Sequence, residues 1–172
     1  MLSEKMQAAM NKQINAELHS AYIYLSMASY FENINLKGFA NWMRIQAQEE
    51  LVHAMKFFDF IVERRGRALL EAVEAVPTDW ESPLAVFENA FAHEQKVTAL
   101  INNLVDLSIK EKDHAANSFL QWFVDEQVEE ESSADEIVQQ LKLAGDAPAA
   151  LFILDREMAT RVFVPPAAEG EA

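Results

Sequence analysis

Glu17, Glu50, His53, Glu94, Gln127 and Glu130 stand on helical stripes where apolar side chains belong. Glu50-x-x-His53 puts a carboxylate and an imidazole on one face of one helix. Carboxylates with a single imidazole suit iron or manganese, and tolerate zinc. Buried without a counter-charge, four glutamates and a histidine on stripes that hold no Lys or Arg repel one another, and bound cations remove that repulsion. Alone, any one of these glutamates reads as a boundary residue reaching for water. The case for a site rests on their being set at matching levels.

The elements that must position them are four long helices, which the periodicity places at 4–33, 38–65, 83–111 and 114–143, with a short fifth at 148–160. The stripes run Met10, Ile14, Glu17, Ala21, Tyr24, Ala28; then Phe39, Met43, Gln46, Glu50, His53, Phe57, Ile61. The third is Phe87, Phe91, Glu94, Thr98, Ile101, Val105, and the fourth Leu120, Phe123, Gln127, Glu130, Ala134, Ile137, Leu141. A short connection at 33–38 makes the first two helices antiparallel neighbours, and the third and fourth meet at 110–114 with Asp113 as N-cap. Between these hairpins, residues 66–82 include Pro77 and span up to ~56 Å when extended, enough to run the length of a helix. This is a long crossover.

In such hairpins all the polar breaks fall roughly 25 Å from their turns. Glu94, Gln127 and Glu130 follow Glu17, Glu50 and His53 by the same 77 positions, so the hairpins read as two copies of one unit.

Composition removes competing readings. The absence of cysteine excludes disulfides, thiolate-bound zinc and iron–sulfur clusters. A net charge of −14 argues against nucleic acid and favours attracting cations, although acidity also serves solubility alone. No stretch reaches the ~18 apolar residues of a membrane span, and the N-terminal residues lack the apolar run of a secretory leader, so a cytoplasmic location is expected.

At this point the sequence resembles the ferritin family, and within it the bacterial and archaeal non-haem ferritins, over roughly 4–160. The resemblance implies an all-α, ferritin-like four-helix bundle with a long crossover between helices 2 and 3 and a short fifth helix. It spans one domain, 1–163, followed by a frayed tail, 164–172. It further implies a ferroxidase that oxidises Fe(II) with O₂ or H₂O₂ and stores the product as mineral in a shell of 24 subunits. The alternative is a peroxide-scavenging di-iron enzyme with storage secondary.

Carried over by position, Glu17, Glu50 and His53 resemble the ligands of a first iron. Glu50 would bridge to a second, which Glu94 and Glu130 also hold. Gln127 matches the glutamine kept near the oxidant, and Tyr24 the tyrosine beside the centre. Glu49, Glu126 and Glu129 resemble a third, inward-facing iron site that shares Glu130. A solvated acidic face formed by Glu126, Glu129 and Glu131 is the alternative.

Haem is not expected, because Leu51 stands where bacterioferritins carry a methionine, and Gln127-Val128-Glu129-Glu130 replaces their second Glu-x-x-His. The acidic pair of animal three-fold pores is not evident: His114, Asn117 and Gln121 occupy that region. His19, His93 and His114 read as surface or interface residues, and Trp42, Trp80 and Trp122 as packing. Asp146-Ala147-Pro148 reads as an N-cap before a proline-started fifth helix, whose apolar Leu151–Leu154 run needs symmetry-related partners. Since every ligand precedes Gly145, truncation there is expected to leave the bundle and its ligands intact.

Overall fold

The computed structural model describes residues 2–145 and 147–165. Its helices are α1 (Glu4–Asn33), α2 (Lys37–Glu63), α3 (Pro83–Lys110), α4 (His114–Ala144) and α5 (Pro148–Met158). The expected all-α bundle is present, with α1/α2 and α3/α4 as its hairpins and α5 docked against α2 and α4. None of the described helices is long and apolar enough to cross a membrane.

Helix starts follow local chemistry. Ser3, Ser82 and Asp113 each accept from the backbone N–H three residues on, at 3.2, 3.1 and 3.0 Å, satisfying donors that the helix leaves unpaired. Asp113 also receives both prongs of Arg64. Three helix ends close alike, each through one residue at positive φ: Asn35 (61°), Arg65 (62°) and Lys112 (56°). The next N–H then reaches back five residues, as in Leu36 N to Phe31 O, Gly66 N to Ile61 O and Asp113 N to Ser108 O.

The crossover runs along α1. Gln7, Asn11, Asn15 and Ser26 hold its backbone at Arg67, Leu69, Glu71, Ala72 and Pro77. These side chains pair backbone groups that a strand-free loop would otherwise leave to water.

Two apolar clusters fill the bundle. One is built around Met27, Phe31, Phe39, Met43 and Phe87, with Leu141 and Met158. The other joins Met10, Ile14, Phe57, Ile61, Ile101 and Phe123. The polar breaks lie between them. On α3 the core face differs from the expected stripe: Ala90, Val97 and Leu104 are buried, whereas Phe91, Thr98 and Val105 are half-buried. Steps of three and four both keep a residue on a broad buried face, so the pattern alone did not choose between adjacent positions.

α5 ends at Met158, short of the expected 160, and Ala147 occupies its N-cap without a side-chain bond. Asp146, expected to cap it, and 166–172 of the expected tail lie outside the described residues. Leu151 and Leu154 pack on the first cluster, while Phe152 and Ile153 are 60% and 65% exposed. Asp155 Oδ1 accepts from Gly38 N at 2.8 Å and Phe39 N at 3.1 Å, capping the start of α2 from another helix. Leu36, the N-cap of α2, supplies no side-chain bond of its own.

Candidate metal centre

Glu17, Glu50, His53, Glu94, Gln127 and Glu130 are all buried, at the level where α1, α2, α3 and α4 present their polar breaks. Apolar neighbours on the same stripes turn these side chains inward. Ligand-capable atoms of Glu17, Glu50 and His53 lie within 4.8 Å of one another, as do those of His53, Glu126 and Glu130. His53 joins the two groups: its Nδ1 is 3.5 Å from Glu50 Oε2 and its Nε2 3.9 Å from Glu126 Oε1. Trp122 and Phe123 stand edge-on to its ring and restrict its tilt.

Glu94 is in neither group. Its Oε1 accepts from the Tyr24 hydroxyl, and its Oε2 from Gln127 Nε2 at 3.3 Å. Gln127 Nε2 also lies 3.1 Å from Thr98 Oγ1, and the Thr98 hydroxyl donates to Glu131 Oε1 at 2.5 Å. Of the residues expected to form a third site, Glu49 and Glu126 are half-buried near His53, whereas Glu129 is exposed.

Residues absent from the sequence-based list support the ligands. Gln13 Nε2 donates to Glu17 Oε1 at 2.9 Å, and Gln46 Nε2 to Glu50 Oε1 at 3.1 Å. Both pairs share a Gln-x-x-x-Glu spacing on a buried stripe, the signal that would have found them. Gln46 Nε2 also donates to Glu130 Oε2 at 2.6 Å, tying α2 to α4. Arg161, beyond α5, donates to Gln46 and Glu49, and no periodicity points to it. His93, read as a surface or interface residue, is half-buried between α1 and α3. Its Nε2 lies 2.8 Å from Ser20 Oγ and its ring edge-on to Tyr24.

Burial dominates the electrostatics. It pushes Glu17 up to about 8, with the Glu50 charge adding to the rise. Glu50 rises to about 7, and Glu94 to about 8 through burial and Glu50. Glu130 stands well above its usual range for the same reasons, with Glu94 adding. Four carboxyls in one buried layer cannot all ionise without compensation, and Glu17 Oε2 is buried with no hydrogen-bond partner. An unpartnered buried oxygen, an imidazole and converging carboxylates fit a hard or borderline divalent cation.

Comparison with known proteins places nearly the whole chain in a family. Residues 7–144 match the protein-family model of the ferritin-like domain. The bacterial non-heme ferritin of Bacteroides fragilis is 48% identical over 161 residues, covering 94% of this chain and all of the relative. That of Staphylococcus saprophyticus is 40% identical over 95% of this chain and 98% of its own. An open-pore ferritin from the hyperthermophilic archaeon Archaeoglobus fulgidus superposes with a TM-score of 0.93 at 58% identity, over 94% of this chain and all of the other. A humanized archaeal ferritin gives 0.95 at 56%, over 96% of this chain and all of the other. The chain therefore belongs to the ferritin family, among the non-haem ferritins.

Proposed function

We propose that the chain is a ferroxidase subunit that oxidises Fe(II) between its four helices and passes the product to a mineral store. The observation carrying this reading is the convergence of Glu17, Glu50 and His53 in a layer where Glu94 and Glu130 are buried as well. Two Fe(II) ions held side by side give up two electrons together, taking O₂ and two protons to H₂O₂, or H₂O₂ and two protons to water.

The chain's own residues set the terms. Glu17, Glu50 and His53 form the group with imidazole, and Glu94 and Glu130, with Glu50, the carboxylate-only group, which holds its ion less firmly. Gln13 and Gln46 hold one oxygen of Glu17 and Glu50 each, leaving the other free to turn toward metal. Gln127 stands beside Glu94, where it reaches the carboxylate-only group. Glu49, Glu126 and Glu129 are proposed as a third iron site. Phe152 and Ile153, exposed on α5, suit burial between subunits of a closed shell, with 24 copies by family analogy. A cytoplasmic location and a one-domain chain complete the proposal.

Stopped-flow Fe(II) oxidation tests the centre. Glu50→Ala and His53→Ala are expected to lose the fast phase while the helical signal persists, since removing a buried carboxylate also relieves repulsion. A wild-type initial rate in Glu50→Ala overturns the assignment. Changing Glu49 and Glu126 to Ala is expected to alter iron-to-oxidant stoichiometry but spare the fast phase. Parallel runs with O₂ and with H₂O₂ identify the preferred oxidant.

A further inference from the structure

Arg161 reaches the metal centre from outside the four-helix bundle. It lies three residues past the end of α5, and Asn41 Nδ2 holds this segment by bonds to the carbonyls of Met158 (3.3 Å) and Arg161 (3.0 Å). The guanidinium lies 4.3 Å from the Trp42 ring centroid, and its Nη1 is 3.4 Å from Trp42 O. Its Nη2 donates to two acceptors, Gln46 Oε1 at 2.9 Å and Glu49 Oε2.

Arginine has donors and no acceptor, so only the oxygen of the Gln46 amide can face it. The Gln46 NH₂ must then face the other way, toward Glu50 and Glu130, where it lies 3.1 Å and 2.6 Å from their oxygens. A reversed amide would set oxygen against two carboxylates and NH₂ against a cation. Arg161 thus determines how two of the proposed iron ligands are held without touching either. The same nitrogen holds Glu49, which stands in the proposed third site. An ion pair there competes with any metal ion seeking that carboxylate, and the guanidinium charge opposes a further cation.

We propose that Arg161 is a positioning residue of the metal centre: through Gln46 it orients Glu50 and Glu130, and by pairing with Glu49 it weakens cation binding at the third site. This rests on the ferroxidase reading and adds a residue beyond α5 to it. The proximal effect is geometric and the distal one electrostatic, so different substitutions separate them.

The test uses the full chain and anaerobic Co(II), whose ligand-field spectrum reports binding without oxidation, followed by stopped-flow Fe(II) oxidation. Arg161→Gln is expected to tighten uptake of the third Co(II) by about tenfold, because a nearby positive charge is gone and Glu49 is released. It is also expected to slow the fast oxidation phase severalfold, as the Gln46 amide is freed. Arg161→Lys keeps the charge but loses the fork. It should bind the third Co(II) as wild type does while still slowing the fast phase. With Glu49→Gln in the background, Arg161→Gln should change third-ion affinity less than in wild type, because only the charge effect remains.

Wild-type Co(II) uptake accompanied by unchanged third-ion affinity and oxidation rate in Arg161→Gln overturns the role of Arg161 and leaves the ferroxidase reading standing. Equal losses at every metal position in both variants, tracking lost helical signal, overturn it in favour of plain structural support. A wild-type chain that takes up no Co(II) overturns both readings.

Discussion

The Tyr24 hydroxyl donates to Glu94 Oε1, a bond from α1 to α3 that joins the two hairpins at the level of the candidate metal centre. Burial first, and then the Glu94 charge, hold the phenol well above its usual range, so it remains a donor. This donation favours the charged form of Glu94 and opposes the rise that burial imposes. Tyr24→Phe keeps the ring against Trp42 and removes only the donor. Glu94 is then harder to ionise, and Co(II) binding is expected to move to higher pH. Folded-state stability should fall by about 1–2 kcal/mol for the lost buried bond. Identical pH profiles in wild type and Tyr24→Phe would show that the phenol does not hold this carboxylate.

The buried carboxyls make stability depend on pH in a direction opposite to that of ordinary surface acids. Glu17, Glu50 and Glu94 titrate near 8, 7 and 8 in the folded chain, against 4.5 for the usual glutamate. Below the unfolded value both states are protonated and no penalty exists. Between that value and the folded ones, the unfolded chain releases protons that the folded chain keeps. The metal-free protein is therefore expected to lose stability as pH rises from 4.5 to about 8. Cation binding displaces those protons, so the metal-induced rise in melting temperature should increase over the same window and protons should be released on binding. Melting curves with and without Zn(II), paired with pH-stat titration, check both. A metal-induced rise that stays constant across this range would show that the cluster is already ionised.

Much of this was legible because helices impose a period and buried charge violates it. Glu17, Glu50, His53, Glu94 and Glu130 interrupt apolar stripes, and the common offset of 77 set them at one level before any coordinates. Asp113 as cap and 66–82 as crossover followed from equally local chemistry. What escaped depended on long-range placement. Arg161 is one charged residue after a short helix, and only the docking of α5 brings it to Gln46. The expectation that truncation after Gly145 leaves the bundle and its ligands intact gains a second part from the structure. The ligands precede that point, but Asp155 and Arg161, which support α2 and Gln46, follow it. On α3, Phe87, Glu94 and Ile101 are buried as expected, and only the positions between them slipped, because Ala90 against Phe91, and Val97 against Thr98, are equally compatible with helical steps.

Two helix ends use long cationic residues where the backbone favours glycine. Arg65 and Lys112 sit at φ 62° and 56°, and both are exposed. A Cβ in this region is strained by roughly 1–2 kcal/mol, partly offset in the unfolded chain by the greater freedom of glycine. Lys112→Gly is expected to stabilise the protein by up to about 1 kcal/mol, raising the urea midpoint with no change in slope. Arg65→Gly should act in the same direction. A lowered midpoint for Lys112→Gly would mean that the lysine side chain contributes more than its backbone costs.

Gly38 provides the sharpest check on how α5 is joined to the bundle. A Cβ built there would lie 1.5 Å from the Asp155 carbonyl oxygen and 3.0 Å from Ala159 N. Both obstacles are backbone, so no side-chain rotation relieves them, and α5 must move outward. Asp155 then loses its bonds to the N–H groups of Gly38 and Phe39, leaving the start of α2 uncapped. Gly38→Ala is expected to destabilise the full chain by about 2 kcal/mol or more, from clash and lost caps together. Hydrogen exchange should accelerate across 148–158. In a chain truncated after Gly145 the obstacle is absent, and the helix preference of alanine, worth about 1 kcal/mol over glycine, should make the same substitution stabilising. This reversal of sign is the diagnostic result. If alanine raised the melting temperature in both chains, α5 would not rest on α2 as the structure has it.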